Sequence, residues 1–412
     1  MQNTAETGPD ALAPIDTTPL LDDPYAALAA LRDAGPVHRI TGTDGQPAWL
    51  VTRYDDVRSA LADPRLSLDK RHATPGNYRG FSLPPALDAN LLNMDPPDHT
   101  RIRRLVVKAF TPGRVEALRA PVQRVADGLL DTMAAKGRAE LVTDYAGPLP
   151  ITVICDLLGI PAEDRRDFLA WSDALITPDP GRPQAMKEAI GAMLEFYTAL
   201  IAAKRAEPGD DLLSDLIAVR EDTADTTDAA GADRLSEDEL TSLAFLILFA
   251  GYENTVQLIG NSVLALLDHP EQLSALRRNP AEVSTAVEEF LRYDGPAPLA
   301  IRRFPVEDVE IGGVRIPAGE SVLLSIASAN RDPRRFPAPD RLDPARDLSG
   351  HLALGHGIHY CLGAPLARME AEIAIGALIS RFPGLRLDVP RDEVRYRRTI
   401  RARGLISLPV AW

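Results

Sequence analysis

Late in the chain, Leu354-Gly355-His356-Gly357-Ile358-His359-Tyr360-Cys361-Leu362-Gly363 sets one cysteine in a glycine-rich loop. The segment after it, Ala364 to Ile373, carries apolar residues at helical spacing, and Pro365 falls near the first turn, where its missing N–H costs little. Cys361 is therefore predicted at a helix N-terminus. Free N–H groups and the positive end of the helix dipole favour an anionic sulfur there, and the glycines let backbone amides approach it. The chemistry on offer is that of a soft thiolate ligand for a metal. The alternative is a buried thiol that only packs.

Zinc needs several Cys or His ligands at close spacing, and the other cysteine, Cys155, lies in an apolar helical stretch, Ile151 to Ile160. Haem iron needs one axial protein ligand, and an axial thiolate pushes electron density onto iron and favours O–O cleavage. The loop resembles the haem-binding signature of the cytochromes P450, Phe-Gly-x-Gly-x-His-x-Cys-x-Gly, with Leu354 in place of the leading aromatic. The resemblance implies haem b (iron protoporphyrin IX), Cys361 on the iron, and Gly355, His359 and Gly363 among the haem contacts.

A second candidate lies on a long predicted helix that starts at Ser236, where Glu239 completes a Ser-x-x-Glu capping box. It runs through Leu246 and Ile247 into Ala250-Gly251-Tyr252-Glu253-Asn254-Thr255. Gly251 costs about 1 kcal/mol relative to alanine in a helix, which points to close helix packing or a ligand against the backbone. The stretch resembles the family's distal helix, usually Ala/Gly-Gly-x-Asp/Glu-Thr with a widened turn. That implies haem contact at Ala250 and Gly251 and catalytic roles for Glu253, Asn254 and Thr255. Asn254 stands where the family has threonine. Its amide donates a hydrogen bond but passes a proton less readily than a hydroxyl, so delivery through a water held by Asn254 and Glu253 is expected. Thr255 lies about 100° further round the helix.

Glu289 and Arg292 are one helical turn apart, and Arg341 follows in Phe336-Pro337-Ala338-Pro339-Asp340-Arg341. The set resembles the family's Glu-x-x-Arg helix and later arginine, which implies a structural clamp under the cysteine loop. His99 and Arg103, at i and i+4 after Asp95-Pro96-Pro97, share a helix face. With Arg303 and His359 they match the family's ligands for the haem propionates. Arg101, Arg104 and Lys108 are expected to point away from the propionate side, as a basic patch for an acidic electron carrier or as a plain solvated helix surface. The irregular stretch from Asp69 to Met94 reads as a lid over a substrate pocket. Its expected walls are Phe81, Leu83, Leu92, Trp171, Ile176, Leu246, Ile247, Ala250, Pro298, Leu299, Thr399 and Ile400, which suit a bulky hydrophobic molecule.

Positioning these residues takes a mainly α chain with a minor β region. Helical periodicity covers Val115–Met133, Ile151–Leu158, Met186–Ala203, Leu212–Val219, Leu240–Leu267 and Val283–Leu291. Val37–Ile40 and Ala48–Thr52 form a predicted hairpin turning at Asp44-Gly45. Strands are expected at Val309–Ile316 and Ser321–Ile326, and Glu221–Asp233 as an acidic loop. No linker, repeat or low-complexity tract divides the 412 residues, so residues 1–412 are read as one domain with the cytochrome P450 fold, residues 1–18 being a flexible terminus.

The net charge of −14 argues against nucleic acid as a partner. Lysine occurs only at positions 70, 108, 136, 187 and 204, so the 45 basic residues are overwhelmingly arginine. No signal peptide or bilayer-spanning run is read, and two cysteines in unlike contexts fit a reducing compartment, so a soluble, cytoplasmic monomer is expected. The function expected from the resemblance is monooxygenation of a macrolide, polyketide, terpenoid or steroid-like molecule by hydroxylation or epoxidation. It would use O₂ and electrons from a ferredoxin and ferredoxin reductase. The alternatives are a hydrogen-peroxide-dependent peroxygenase, against which Glu253 argues, and a non-catalytic haem scaffold that recruits pathway enzymes.

Overall fold

The computed structural model describes residues 14–42, 45–78, 83–176, 182, 184–221 and 234–412. The chain divides into two compact units. One comprises Met1–Phe81, Gly260–Cys361 and Val389–Leu408; the other comprises Ser82–Ile259, Leu362–Asp388 and Pro409–Trp412.

The first unit is built on a three-stranded sheet whose period-two alternation buries both faces. Val37–Thr41 pairs antiparallel with Pro47–Val51, which pairs in parallel with Val322–Leu324. Trp49, Val51, Val322 and Leu324 enter one apolar cluster with Tyr54, Ile316 and Phe336. Ile40, Ala48, Leu50 and Leu323 point the other way into a second cluster with Leu20 and Leu28, against which Leu299 and Ile400 pack. The sheet thereby anchors two of the residues expected to line the pocket. Val309–Ile316 is not one strand but a hairpin, Val309–Ile311 against Val314–Ile316. Gly312 and Gly313 turn it with φ of +57° and +81°, conformations that favour glycine. Of residues 1–18, expected as a flexible terminus, only those from Pro14 onward are described, and these are held in place. Ile15 bridges to Ile40 and donates its N–H to the Arg39 carbonyl at 2.9 Å, and a helix starts at Thr18. The first thirteen residues, Asp44 and most of the expected acidic loop lie outside the described residues.

The second unit is mostly helical. Pro148–Leu158 starts with proline in its first turn and ends on Gly159 at φ +65°, with the Ile160 N–H on the Cys155 carbonyl at 2.8 Å. Val115–Met133 is broken at Leu118 into Pro112–Ala117 and Arg119–Ala134. A small sheet joins Arg138–Glu140, Pro409–Ala411 and Arg386–Leu387. The long helix, Glu237–Asp268, carries the expected box: Ser236 N–H donates to Glu239 Oε2 at 2.7 Å and Glu239 N–H to Ser236 Oγ at 3.1 Å. By length and mean hydropathy this helix could cross a membrane, which the sequence reading had not expected, but 72% of its apolar window is buried inside the protein.

Burial pushes the carboxyl of Glu370, on the helix Ala364–Arg381, well above its ordinary 4.5. The folded chain then keeps a proton that the unfolded chain gives up above pH 4.5, so this group costs stability as pH rises from there. Thermal melts should show Glu370→Gln gaining on the wild type from acidic to neutral pH, by up to about 1.4 kcal/mol per pH unit. Parallel curves for the two proteins would refute this.

Candidate active site

In the first unit, Cys361 closes its loop by donating its N–H to the Leu354 carbonyl at 2.8 Å, while Gly355 N–H reaches Leu352 O at 2.9 Å. Gly355 and Gly357 have φ of +78° and +74°, and a Cβ on Gly357 would lie 3.3 Å from Ala62 Cα. The Cys361 side is exposed, whereas Cys155 is buried and its thiol is pushed up to about 12 by burial. Only one of the two sulfurs is therefore accessible. In the second unit Gly363 caps the helix Ala364–Arg381, with Pro365 in its first turn. Among the described residues no group of three or more His, Cys, Asp or Glu could hold a metal ion. The donor set suits a metal already held by a macrocycle, which needs one protein ligand.

Beside the loop, Glu289 and Arg292 are both fully buried and paired through two bonds of 2.7 and 2.8 Å. Arg292 also donates to the carbonyls of Asn330 (2.9 Å), Pro339 (2.8 Å) and Arg341 (3.3 Å), and Asp343 N–H donates to Glu289 Oε1 at 2.8 Å. The third guanidinium is not Arg341, whose side chain is exposed and whose contribution is its carbonyl. It is Arg346, with Nε 3.5 Å from Glu289 Oε1 and Nη2 on the carbonyls of Ala338 and Arg341. Arg346 follows Asp343 and Pro344, which turn the chain back toward Glu289; spacing from the Phe-Pro motif alone does not reveal that.

Two adjacent arginines separate cleanly. Arg302 lies 5.1 Å over the Tyr78 ring and donates to Ser321 Oγ at 3.4 Å. Arg303 is 3% exposed, its backbone bonded both ways to Val322 at 2.9 Å. Pro298, Leu299, Thr399 and Ile400 gather around one small cavity with Leu20 and Leu50. Thr399 and Ile400 sit at the turn of a hairpin closed by the Tyr396–Leu405 bridge.

A node that sequence reading missed holds this hairpin. Asp294, 8% exposed, accepts from Tyr25 Oη (2.5 Å), Tyr396 Oη (3.0 Å) and Arg403 Nε (3.0 Å). Asn261 Nδ2 donates to the backbone carbonyls of Asp294 and Arg403, each at 3.0 Å. Burial, reinforced by the Asp294 charge, raises both phenols and keeps them protonated as donors. The signal was an acid just ahead of Gly295-Pro296, at the end of a helix, whose partners are remote in sequence.

The long helix is α-helical throughout Glu237–Asp268, without the widened turn that the resemblance implied. A Cβ on Gly251 would lie 2.9 Å from Ile154 Cδ1. Helix packing accounts for this glycine. The bare face belongs to Ala250 and Asn254, at i and i+4, both exposed in the middle of a helix whose other residues are mostly buried. Thr255 is buried and its Oγ1 donates to the Gly251 carbonyl at 3.1 Å, so its hydroxyl is spent on the helix backbone and not on the open face. Glu253 Oε1 accepts from Gln257 Nε2 at 3.0 Å.

His99 is buried at 1% exposure and Arg103 is half-buried, both on the helix Asp98–Val106. Arg101 is not part of an open basic patch: it pairs with Glu239 and donates to the Arg234 carbonyl at 2.8 Å. Arg104 is exposed, and the side chain of Lys108 lies outside the described ones. Leu83, Leu92 and Leu246 are half-buried and Ile247 is buried. Trp171 packs on Phe196 with ring centroids 5.7 Å apart. Phe81 and the side chain of Ile176 lie outside the described residues.

An accessible cysteine in a double-glycine loop, buried basic side chains of the kind propionates require, and a helix left bare at Ala250 and Asn254 all fit a haem. The family model described as Cytochrome P450 matches residues 30–395. The chain belongs to the cytochrome P450 family. It is 47% identical to Cytochrome P450 107B1 of Saccharopolyspora erythraea, over 98% of both chains. Identity with Cytochrome P450 monooxygenase PikC of Streptomyces venezuelae is 48%, over 95% of this chain and 91% of that one. Among solved structures, the tirandamycin C-bound P450 monooxygenase TamI superposes with a TM-score of 0.86 at 44% identity, covering 96% of this chain and 99% of that one. This P450 is thus a haem b monooxygenase that takes O₂, a redox partner and a hydrophobic substrate.

Proposed function

We propose that this P450 hydroxylates or epoxidises a bulky secondary metabolite of the macrolide or polyketide kind, as a cytoplasmic monomer fed by a ferredoxin and its reductase. The bare helix face at Ala250 and Asn254 carries the reading, because side chains left exposed in the middle of an otherwise buried helix are what a bound ligand would cover. Relatives named as a 6-deoxyerythronolide B hydroxylase of Saccharopolyspora erythraea (44% identical) and a mycinamicin IV hydroxylase/epoxidase of Micromonospora griseorubida (42%) support it. The family match runs through both compact units, which supports one catalytic domain.

Cys361 would hold the iron, and His99, Arg103, Arg303 and His359 the propionates. When bound, haem supplies an iron whose thiolate ligand favours O–O cleavage. The protein's share is proton supply and orientation. Glu253, steadied by Gln257, lies one residue from Asn254, whose amide can fix a water on the open face and pass protons along it. Exposed Arg104 offers an acidic electron carrier a basic contact.

The test is a screen for ligands that shift the ferric Soret band toward high spin, followed by turnover with a surrogate ferredoxin. Glu253→Gln should lower turnover about 100-fold with ligand affinity unchanged. Unchanged turnover would remove Glu253 from proton delivery, and a haem-loaded wild type that oxidises none of its high-spin ligands would leave the scaffold reading.

A further inference from the structure

The carboxylate of Asp294 gathers donors from separate stretches of chain: Tyr25 on the helix Pro24–Ala34, and Tyr396 and Arg403 on the two sides of the hairpin. Arg403 lies 3.3 Å over the Tyr396 ring and Arg331 3.5 Å over the Tyr25 ring, so each phenol is held at its face as well as its hydroxyl. Backbone ties the base of the hairpin again, with Arg403 N–H on the Pro296 carbonyl and Arg397 N–H on the Gly404 carbonyl, both at 2.8 Å. The tip is set by local bonds, Thr399 N–H to the Arg397 carbonyl at 3.0 Å and Arg401 N–H to Thr399 Oγ1 at 3.1 Å. Its position therefore follows the base, and the base follows Asp294. Thr399 and Ile400, at the tip, line a cavity of about 40 Å³. Leu20, Leu28, Leu50, Leu299 and Ile400 make its walls mostly apolar, and Tyr25 and Arg403, which also line it, give their hydroxyl and Nε to Asp294. A water needs about 10–15 Å³ and several polar partners, and an aromatic ring needs about 150 Å³. The space is too apolar for the first and too small for the second.

We infer that this cavity takes a small branched alkyl group of the substrate, and that Asp294 is the positioning residue that sets its size through the hairpin. This rests on the haem-monooxygenase reading, which makes Thr399 and Ile400 walls of the substrate site. A group that fits recovers dispersion contacts and takes alkyl surface out of water, whereas one that overfills the space strains its walls. Leu50, in the middle strand of the sheet and 1% exposed, is a fixed wall. The hairpin is the adjustable one. Asp294 is not among the described walls and acts through Tyr25, Tyr396 and Arg403.

The experiment titrates the haem-loaded full chain with alkylimidazoles of graded length whose far end is a straight chain, an isopropyl group or a cyclohexyl group. The imidazole ligates iron and moves the Soret band whatever the natural substrate, and the far end samples the cavity. At the best length the isopropyl end should bind about fourfold tighter than the straight one, as burial of one further methyl group predicts, with cyclohexyl weakest. Ala327→Leu, which fills the cavity, should remove the isopropyl advantage, and Leu299→Ala, which enlarges it, should move the preference to cyclohexyl. Asp294→Asn should level the three ends to within about twofold while plain imidazole binds as before. If melts show that this variant does not fold, Tyr25→Phe combined with Tyr396→Phe, which keeps both rings, should have the same effect. A merely structural node would lower the melting temperature and keep the wild-type ranking, and that result overturns the role of Asp294. Affinity that rises from straight to isopropyl to cyclohexyl at every length, or a ranking that both wall variants leave intact, overturns the cavity assignment while the Soret shift leaves the haem reading standing. Failure of plain imidazole to shift the spectrum would sink both.

Discussion

Cys361→Ser is expected to abolish the red-shifted Soret band of the reduced, carbon monoxide-bound protein and to leave no detectable turnover. Serine keeps the loop's geometry, since the closing bond from residue 361 to the Leu354 carbonyl is made by backbone. What it removes is the soft, electron-donating sulfur on which O–O cleavage depends. The proper control is Cys155→Ala. That thiol is buried and pushed up to about 12, and its removal should leave the band in place at a modest cost in stability. A Cys361→Ser protein with an unaltered band would refute the assignment of the iron ligand.

The second large effect is expected at Arg292. Its guanidinium is fully buried and satisfies Glu289 together with three main-chain carbonyls. Removing one partner of a buried pair leaves the other charge uncompensated, at about 3–5 kcal/mol. Arg292→Ala should therefore lower the melting temperature sharply and reduce haem incorporation, because the segment from Asn330 to Arg341 loses its tie to the helix Val283–Asp294. Arg346→Ala should cost less, about 1–3 kcal/mol, by freeing carbonyls that it now satisfies. Arg341→Ala should stay within about 0.5 kcal/mol, since its carbonyl and not its side chain is used. Melts and haem content of the three variants check the ranking. A destabilised Arg341→Ala beside a wild-type-like Arg346→Ala would reverse the structural assignment.

Those two arginines show where sequence reading succeeds and fails. Glu289 and Arg292 were legible because a helical turn fixes their separation. The third member was not, because a turn at Asp343-Pro344 decides which later arginine comes back, and only tertiary structure records that. The long helices were legible from their period, and Ser236 with Glu239 from a local capping rule. Arg101 was misassigned because the same Glu239 also attracts it across 138 residues. The Gly312-Gly313 turn has a sequence signature, masked by the apolar run on either side of it. The parallel pairing of Pro47–Val51 with Val322–Leu324 has no local signature at all. For Gly251, sequence left packing and ligand contact open, and Ile154 decides for packing.

The Asp294 node has a practical corollary for engineering. Exchanging the 395–405 hairpin between relatives to alter which molecules are accepted would transplant Tyr396 and Arg403 but leave Tyr25, Asn261 and Asp294 behind in the host. A graft into a scaffold lacking those three would arrive with a stranded guanidinium and a loosened tip. Chimeras that move all five together should keep their shape.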